Sequence, residues 1–334
     1  MSFSNATRYA AIDVPLTDAQ GRDMVVAIVK ATFEVASDHS VALAARGTEV
    51  RLNDEPHDPE AEQSSILYPS DLCTQKHGCD VVVVGSAVSV MPAKHIDVAV
   101  SVRNLQVPLR VHGPRVFYSG PAGVTITAAA AFTEAPLIYE LAYGGYYLDG
   151  EWYITEERNP VGVGFAKDEG DLVDQPAPRI EHPNSPHTSA SDQHAPAGFG
   201  AIGSHWLPRR GYAGNFDQAW EQQRMPLMPD DFDLRFNNVA HPSLQLDTPL
   251  SAGDSVAVSG MSLDGPFQFQ IPSFPIEVRA KLDELGTQKV RPPIDTLVIE
   301  PAKRRFELVT RAAFPTGRGE HVLRELVVDT HDEA

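Results

Sequence analysis

Four histidines, His182, His187, His194 and His205, fall within 24 residues of one another, and imidazole is a common ligand of zinc and nickel. They lie in a stretch rich in Ser, Ala and Pro that suggests a mobile loop, so the expectation is a surface cluster and no metal site. Ser64, Ser65 and Ser70 precede Asp71 and His77, which are the residue types of a nucleophile, an orienting acid and a base. The chain has no Gly-x-Ser-x-Gly elbow and no phosphate-binding Gly-rich loop, so that reading rests on residue type alone. Asp230, Asp231 and Asp233 lack the Gly and Glu of a calcium loop and suit the start of a helix. Gly162 and Gly164, ahead of Phe165, lack the third glycine and the preceding strand of a dinucleotide fingerprint. Cys73 and Cys79 are too sparse for a disulfide framework and fit reduced thiols. The expectation is therefore no catalytic residue, cofactor or metal. A hydrolase-type enzyme, metal-dependent through the histidine cluster, is the alternative.

The elements that would position such residues are mostly strands. Met24 to Val35 is a β-branched run with Val41 to Ala45 as its plausible partner. Asp80 to Val90, His95 to Val102, Gln106 to Val111 and Gly123 to Phe132 follow at short intervals. Residues 53–63 are acidic and aperiodic, as a surface loop is. Around Gly144 and Gly145 the chain is expected to bend sharply. From Gly150 to about Pro249 periodicity fades. Short helices are expected over 216–224, with Asn215 or Asp217 near the cap, and over 230–236, while 184–197 has the composition of a disordered segment. Strand signals return over 255–261, 267–271, 276–280, 296–299 and 305–311. Residues 320–328 are either strand or short helix. The predicted fold is a mainly β single domain, an antiparallel sandwich or composite sheet: an N-terminal strand set (1–149), an irregular wrap with a few short helices (150–249) and a C-terminal strand set (250–334).

Composition narrows the partners. The formal charge of −18 repels phosphate backbones and anionic headgroups, so nucleic acid is not an expected partner. The N-terminus has no basic-then-apolar export signal, and no apolar run reaches the ~20 residues of a spanning helix. Membrane insertion is not expected, and the cytoplasm is the expected location. Arg209 and Arg210 are placed to pair with carboxylates such as Asp217 or Asp231.

An ordered series of short segments runs through the chain: Lys30-Ala-Thr-Phe33, Tyr68-Pro-Ser-Asp-Leu72 with Lys76, Asp80 to Ala87, Ala142-Tyr-Gly-Gly145 and Asn159 to Phe165. It continues through Gly198-Phe-Gly200, Trp206 with Arg209, Ala213-Gly214, Asp217 with Trp220, Pro229 to Asp233, Phe236 to Ala240 and Asp295-Thr-Leu297. From about Val26 to Arg311 this resembles domain-of-unknown-function family 2169 (DUF2169), encoded in bacterial type VI secretion clusters. The resemblance implies an adaptor or chaperone that binds a type VI effector protein and helps load it onto the VgrG spike with its PAAR tip. It carries over no catalytic residue. Asn215 stands where the family often has Thr. A role in protein binding directs attention to the aromatic residues in and beside the central wrap: Tyr143, Tyr146, Trp152, Phe199, Trp206, Tyr212, Phe216 and Trp220.

Overall fold

The computed structural model describes residues 2–121, 123–283, 285–316 and 322–331. It is mainly β, and the composite-sheet expectation holds: strands from both ends of the chain interleave. A seven-stranded sheet runs in the order Gln245–Leu246, Cys79–Val83, Ile294–Glu300, Arg305–Pro315, Asp23–Val35, Ala10–Thr17, with Val41–Leu43 also paired to Asp23–Val35. A five-stranded antiparallel sheet is ordered Ile180–Glu181, Leu105–His112, His95–Val102, Ser255–Ser259, Phe267–Gln270. The third sheet is Ser2–Asn5, Leu323–Thr330, Ile276–Leu282, Gly286–Val290. Pairing is not wholly antiparallel: Cys79–Val83 runs parallel to Ile294–Glu300, and Ser2–Asn5 parallel to Leu323–Thr330.

The 13-residue strand Asp23–Val35 is the spine. Side chains alternate across a strand, and here the odd positions divide their work. Val25, Ala27 and Val29 pack on the third sheet with Val278, Leu326 and Val328. Ala31, Phe33 and Val35 join the large core shared with the five-stranded sheet, where Phe33, Phe306 and Phe269 stack in sequence. Both faces are buried, which is why the segment reads as a nearly continuous apolar run.

The opposite face of the spine bears charge. Lys30 is 1% exposed and donates to Asp71 at 2.7 Å, with Glu307 at 3.3 Å. Arg51 grips Glu307 through both terminal nitrogens at 2.6 and 3.0 Å, and Thr48 adds a third hydrogen bond. Further along, Arg311 pairs with Asp295, and Lys76 donates to Asp80 at 2.6 Å and to Thr296 at 2.9 Å. Asp80 also accepts from Asn238 Nδ2 and from the backbone N–H groups of Val239 and Ala240, so the end of the irregular wrap is tied to a sheet strand through one buried carboxylate.

Several expectations need correction. Residues 80–90 form two strands, Cys79–Val83 and Ser86–Ala93, because the chain leaves the seven-stranded sheet there to pair with Phe132–Pro136. Ser2–Asn5, Ala10–Thr17 and Gly286–Val290 were not legible as strands. Residues 323–328 are strand, not helix, while 320 and 321 lie outside the described residues. The helix over 216–224 is Gln218–Gln223, capped by Asp217, which accepts from Trp220 N at 2.8 Å, while Asn215 bonds Asp231. Residues 234–237 form a 3-10 turn capped by Asp233. Residues 184–197 are ordered: Asp192 accepts from the N–H groups of Thr188 and Ser189, and His187 is buried. Arg209 bonds the carbonyls of Phe236 and Ile202, and Arg210 pairs with Glu157.

Lys30→Met should lower stability by about 3–5 kcal/mol, because it leaves Asp71 and Glu307 with one cation fewer in a dry site; a urea midpoint shift at unchanged slope measures this. Burial by itself would raise the Glu307 carboxyl, but the Arg51 hydrogen bonds and the Lys30 and Arg51 charges outweigh it and hold the group at about 2. The stability this confers is fully present above the ordinary carboxylate range and is lost as pH falls from there toward about 2. Acid titration of the melting temperature should show this loss blunted in Glu307→Gln.

Candidate protein-binding surface

Tyr146–Asp149 and Trp152–Thr155 form an antiparallel hairpin, with Leu148 opposite Tyr153 and Asp149 opposite Trp152. The loop is Gly150-Glu151, and Gly150 has φ +65°, as suits the first central position of a two-residue hairpin turn. The register divides the side chains. Tyr147 and Asp149 point to the body, where the Tyr147 ring lies 5.4 Å from Phe165 and Asp149 accepts from Lys167 at 2.7 Å. Tyr146, Leu148 and Tyr153 share the other face and are 53%, 58% and 67% exposed, with the two tyrosine rings edge-to-face at 5.4 Å. Trp152, beside the turn, is 76% exposed.

A buried clasp carries the hairpin. Asn159 is fully buried and donates from Nδ2 to the carbonyls of Tyr139 and Tyr143, both at 2.9 Å, while Gly145 N donates to the Asn159 carbonyl at 2.8 Å. A Cβ on Gly144 would stand 2.2 Å from that carbonyl, so the close approach requires glycine. The Gly162-x-Gly164 pair serves the same clasp, with Val163-Gly164 running parallel to Tyr143-Gly144. This is the bend expected at Gly144 and Gly145.

Exposed side chains of this size each release ~1.5–3 kcal/mol on full burial. Four of them offer a gross gain of roughly 6–12 kcal/mol, against an association cost of ~4–15 kcal/mol. The hairpin therefore suits an anchor that works with further contacts. Glu151, Asp168 and Glu169 add exposed negative charge around it.

The eight aromatic residues singled out by sequence divide three ways. Tyr143, Phe199 and Trp206 are buried, at 2%, 0% and 2% exposure, and belong to the packing: Trp206 meets Tyr139 edge-on and Tyr143 stacks on His187. They do not reach a partner's surface. Tyr146, Trp152 and Phe216 are exposed, and Tyr212 and Trp220 are half-buried, with Arg235 over the Tyr212 ring and Phe216 against Trp220. Leu148 and Tyr153 were missed, although apolar residues alternating about Asp149-Gly150 are a hairpin signal.

The other constellations are dispersed. His187 lies edge-on to His194 at 5.0 Å and 3.7 Å from Glu181, while His182 bonds its own loop and exposed His205 accepts from Trp206 Nε1. Burial alone would raise Glu181, but His112, His187 and Arg115 outweigh it and hold its carboxyl well below the usual range. Among the described residues, no group of three or more His, Cys, Asp or Glu could hold a metal ion. Ser65 donates to Glu140, Ser70 to the Leu52 carbonyl, and Asp71 is engaged by Lys30, so the serines are not joined with Asp71 and His77 in a triad. Cys73 and Cys79 are free thiols, and burial raises both.

A family profile described as "Uncharacterized protein conserved in bacteria (DUF2169)" matches residues 20–311. The chain belongs to the DUF2169 family. No curated protein and no solved structure matches it. In this DUF2169 chain, the segments that carry the family likeness contain Lys30, Tyr68, Asp71, Lys76, Asp80, Asn159, Asn238 and Asp295, all buried. The ordered segments thus describe the polar interior, whereas the exposed face of the hairpin lies between them. No helix among the described residues is long and apolar enough to cross a membrane.

Of the three tryptophans, Trp152 should dominate collisional quenching by acrylamide. Trp152→Phe should remove most of the quenchable emission, while the signal of buried Trp206 persists.

Proposed function

We propose that this chain is a type VI secretion adaptor, a chaperone-like protein that binds an effector and helps bring it to the VgrG spike or its PAAR tip. The observation that carries the reading is the hairpin: a rigidly clasped element that holds Tyr146, Leu148, Tyr153 and Trp152 in water. Exposed aromatic groups of this kind supply large contact area at low conformational cost and recur as anchors in protein interfaces. Family membership supports the bacterial setting. The formal charge of −18 supports a protein partner over a nucleic acid. In this reading the hairpin engages the effector, the acidic residues around it favour a basic rim on the cargo, and cytoplasmic loading precedes secretion.

The test is co-expression of the tagged chain with the VgrG, PAAR and candidate effector proteins of the same bacterium. The wild-type chain should co-purify the effector and raise the fraction bound to the spike. The combined Tyr146→Ser, Leu148→Ser and Tyr153→Ser variant should keep its melting temperature and lose at least ~tenfold in effector retention, as ~1.4 kcal/mol of lost contact demands. Equal loading with and without the chain would refute the role.

A further inference from the structure

Within the charge layer one amine faces two carboxylates in a site almost closed to water. Lys30 is 1% exposed, Asp71 3% and Glu307 0%. Nζ of Lys30 lies 2.7 Å from Asp71 Oδ2 and 3.3 Å from Glu307 Oε2. All three groups are fixed from behind. Lys30 sits mid-strand in the spine, in register with Ala10 on one side and Val309 on the other. The Asp71 N–H donates to the Arg51 carbonyl at 2.8 Å, and the Asp71 carbonyl accepts from Arg311 Nε at 2.9 Å. Glu307 is gripped by both terminal nitrogens of Arg51.

In water an amine and a carboxylate stay ionised because each is strongly solvated; burial withdraws that solvation and penalises the ionised pair. A hydrogen bond of 2.7 Å also puts Nζ at roughly the 3–3.5 Å from Cγ that a near-attack geometry requires. The two oxygens of Asp71 differ in a way that suits condensation. Oδ2 accepts from the Arg51 N–H at 2.8 Å as well as from Lys30, whereas among the described residues no hydrogen bond reaches Oδ1. The other buried pair of this kind, Lys76 and Asp80, is built differently: Asn238, Val239 and Ala240 donate to Asp80 and occupy both of its oxygens.

The geometry points to an intramolecular amide between Lys30 Nζ and Asp71 Cγ, formed by the folded chain itself with Glu307 as proton relay. The Nζ lone pair attacks Cγ, Oδ2 becomes the amide carbonyl with the Arg51 N–H as its donor, and Oδ1 departs as water. The ammonium gives up two protons, and both leave in that water. Glu307, which Arg51 holds ionised, takes a proton from nitrogen as the new bond forms and returns it to the departing oxygen. Nothing is oxidised or reduced, and no co-reactant is needed. One positive and one negative charge vanish together, so Arg51 and Glu307 remain as a balanced pair in the layer. The bond ties the spine strand covalently to a loop 41 residues further along the chain. The inference stands independently of the secretion reading and of the hairpin.

The test is the mass of the intact full chain, purified folded and then denatured. The wild-type chain should be lighter than its sequence by one water, and trypsin should release residues 23–46 and 52–76 as a single joined species, because an acylated Lys30 is not cleaved. Lys30→Arg, which keeps the cation but offers no amine, should show no such loss. Glu307→Gln, verified as folded by near-ultraviolet circular dichroism, should join at least ~100-fold more slowly when chains are followed by mass after pulsed synthesis in a cell-free system. The wild-type measurement decides the inference even where a variant fails to fold. A wild-type chain that keeps the water and is cleaved at Lys30, a missing water that maps to another pair, or a folded Glu307→Gln that joins at wild-type speed would each overturn it.

Discussion

The fold depends on a layer of buried charge. Lys30, Arg51, Lys76 and Arg311 meet Asp71, Asp80, Asp295 and Glu307 on one face of the seven-stranded sheet. A buried ion is costly unless every partner is in place, so the layer has little tolerance for alternatives. Its members come from the spine strand, from the loops at 48–51 and 71–76, and from the last strands of the chain, so closing it brings these distant segments into one register. An apolar interface would hold the sheet with comparable strength, but it would distinguish less sharply between neighbouring registers.

That layer also explains how an irregular segment of about a hundred residues can be ordered with so little regular structure. Backbone groups outside helices and sheets still need partners, and single buried side chains supply several at once. Asp80 takes the N–H groups of Val239 and Ala240 together with the Asn238 amide, and Asn159 ties Tyr139, Tyr143 and Gly145. The wrap is pinned at points, and between them it projects surface: the 146–155 hairpin is held at its base and free at its tip.

The sequence made the β class and the core strands legible, because apolar runs such as 24–35 and 305–311 record burial on both faces. It obscured elements whose signal is short or polar. Gly286–Val290 is half-exposed and carries no apolar alternation, and Ser2–Asn5 has four residues. Composition misled at 184–197, where polar, Pro-rich sequence is ordered through local hydrogen bonds to Asp192 and burial of His187. For the candidate surface, residue type found Tyr146 and Trp152 but did not separate them from Phe199 and Trp206. An aromatic side chain reads the same in a core and on a surface; what packs against it from elsewhere in the chain decides, as Tyr139 does for Trp206.

The spine strand's position between early and late neighbours has a consequence for biosynthesis. Asp23–Val35 can pair at once with Ala10–Thr17 and Val41–Leu43, but its other edge belongs to Arg305–Pro315. At ~5–20 residues per second, the ribosome needs on the order of tens of seconds to supply that strand. Through this interval the most apolar segment of the chain waits with one side open. The sheet is completed only once Arg305–Pro315 has been made, and a nascent chain stalled before that point holds a sticky, half-built sheet of the kind that cellular holdases retain.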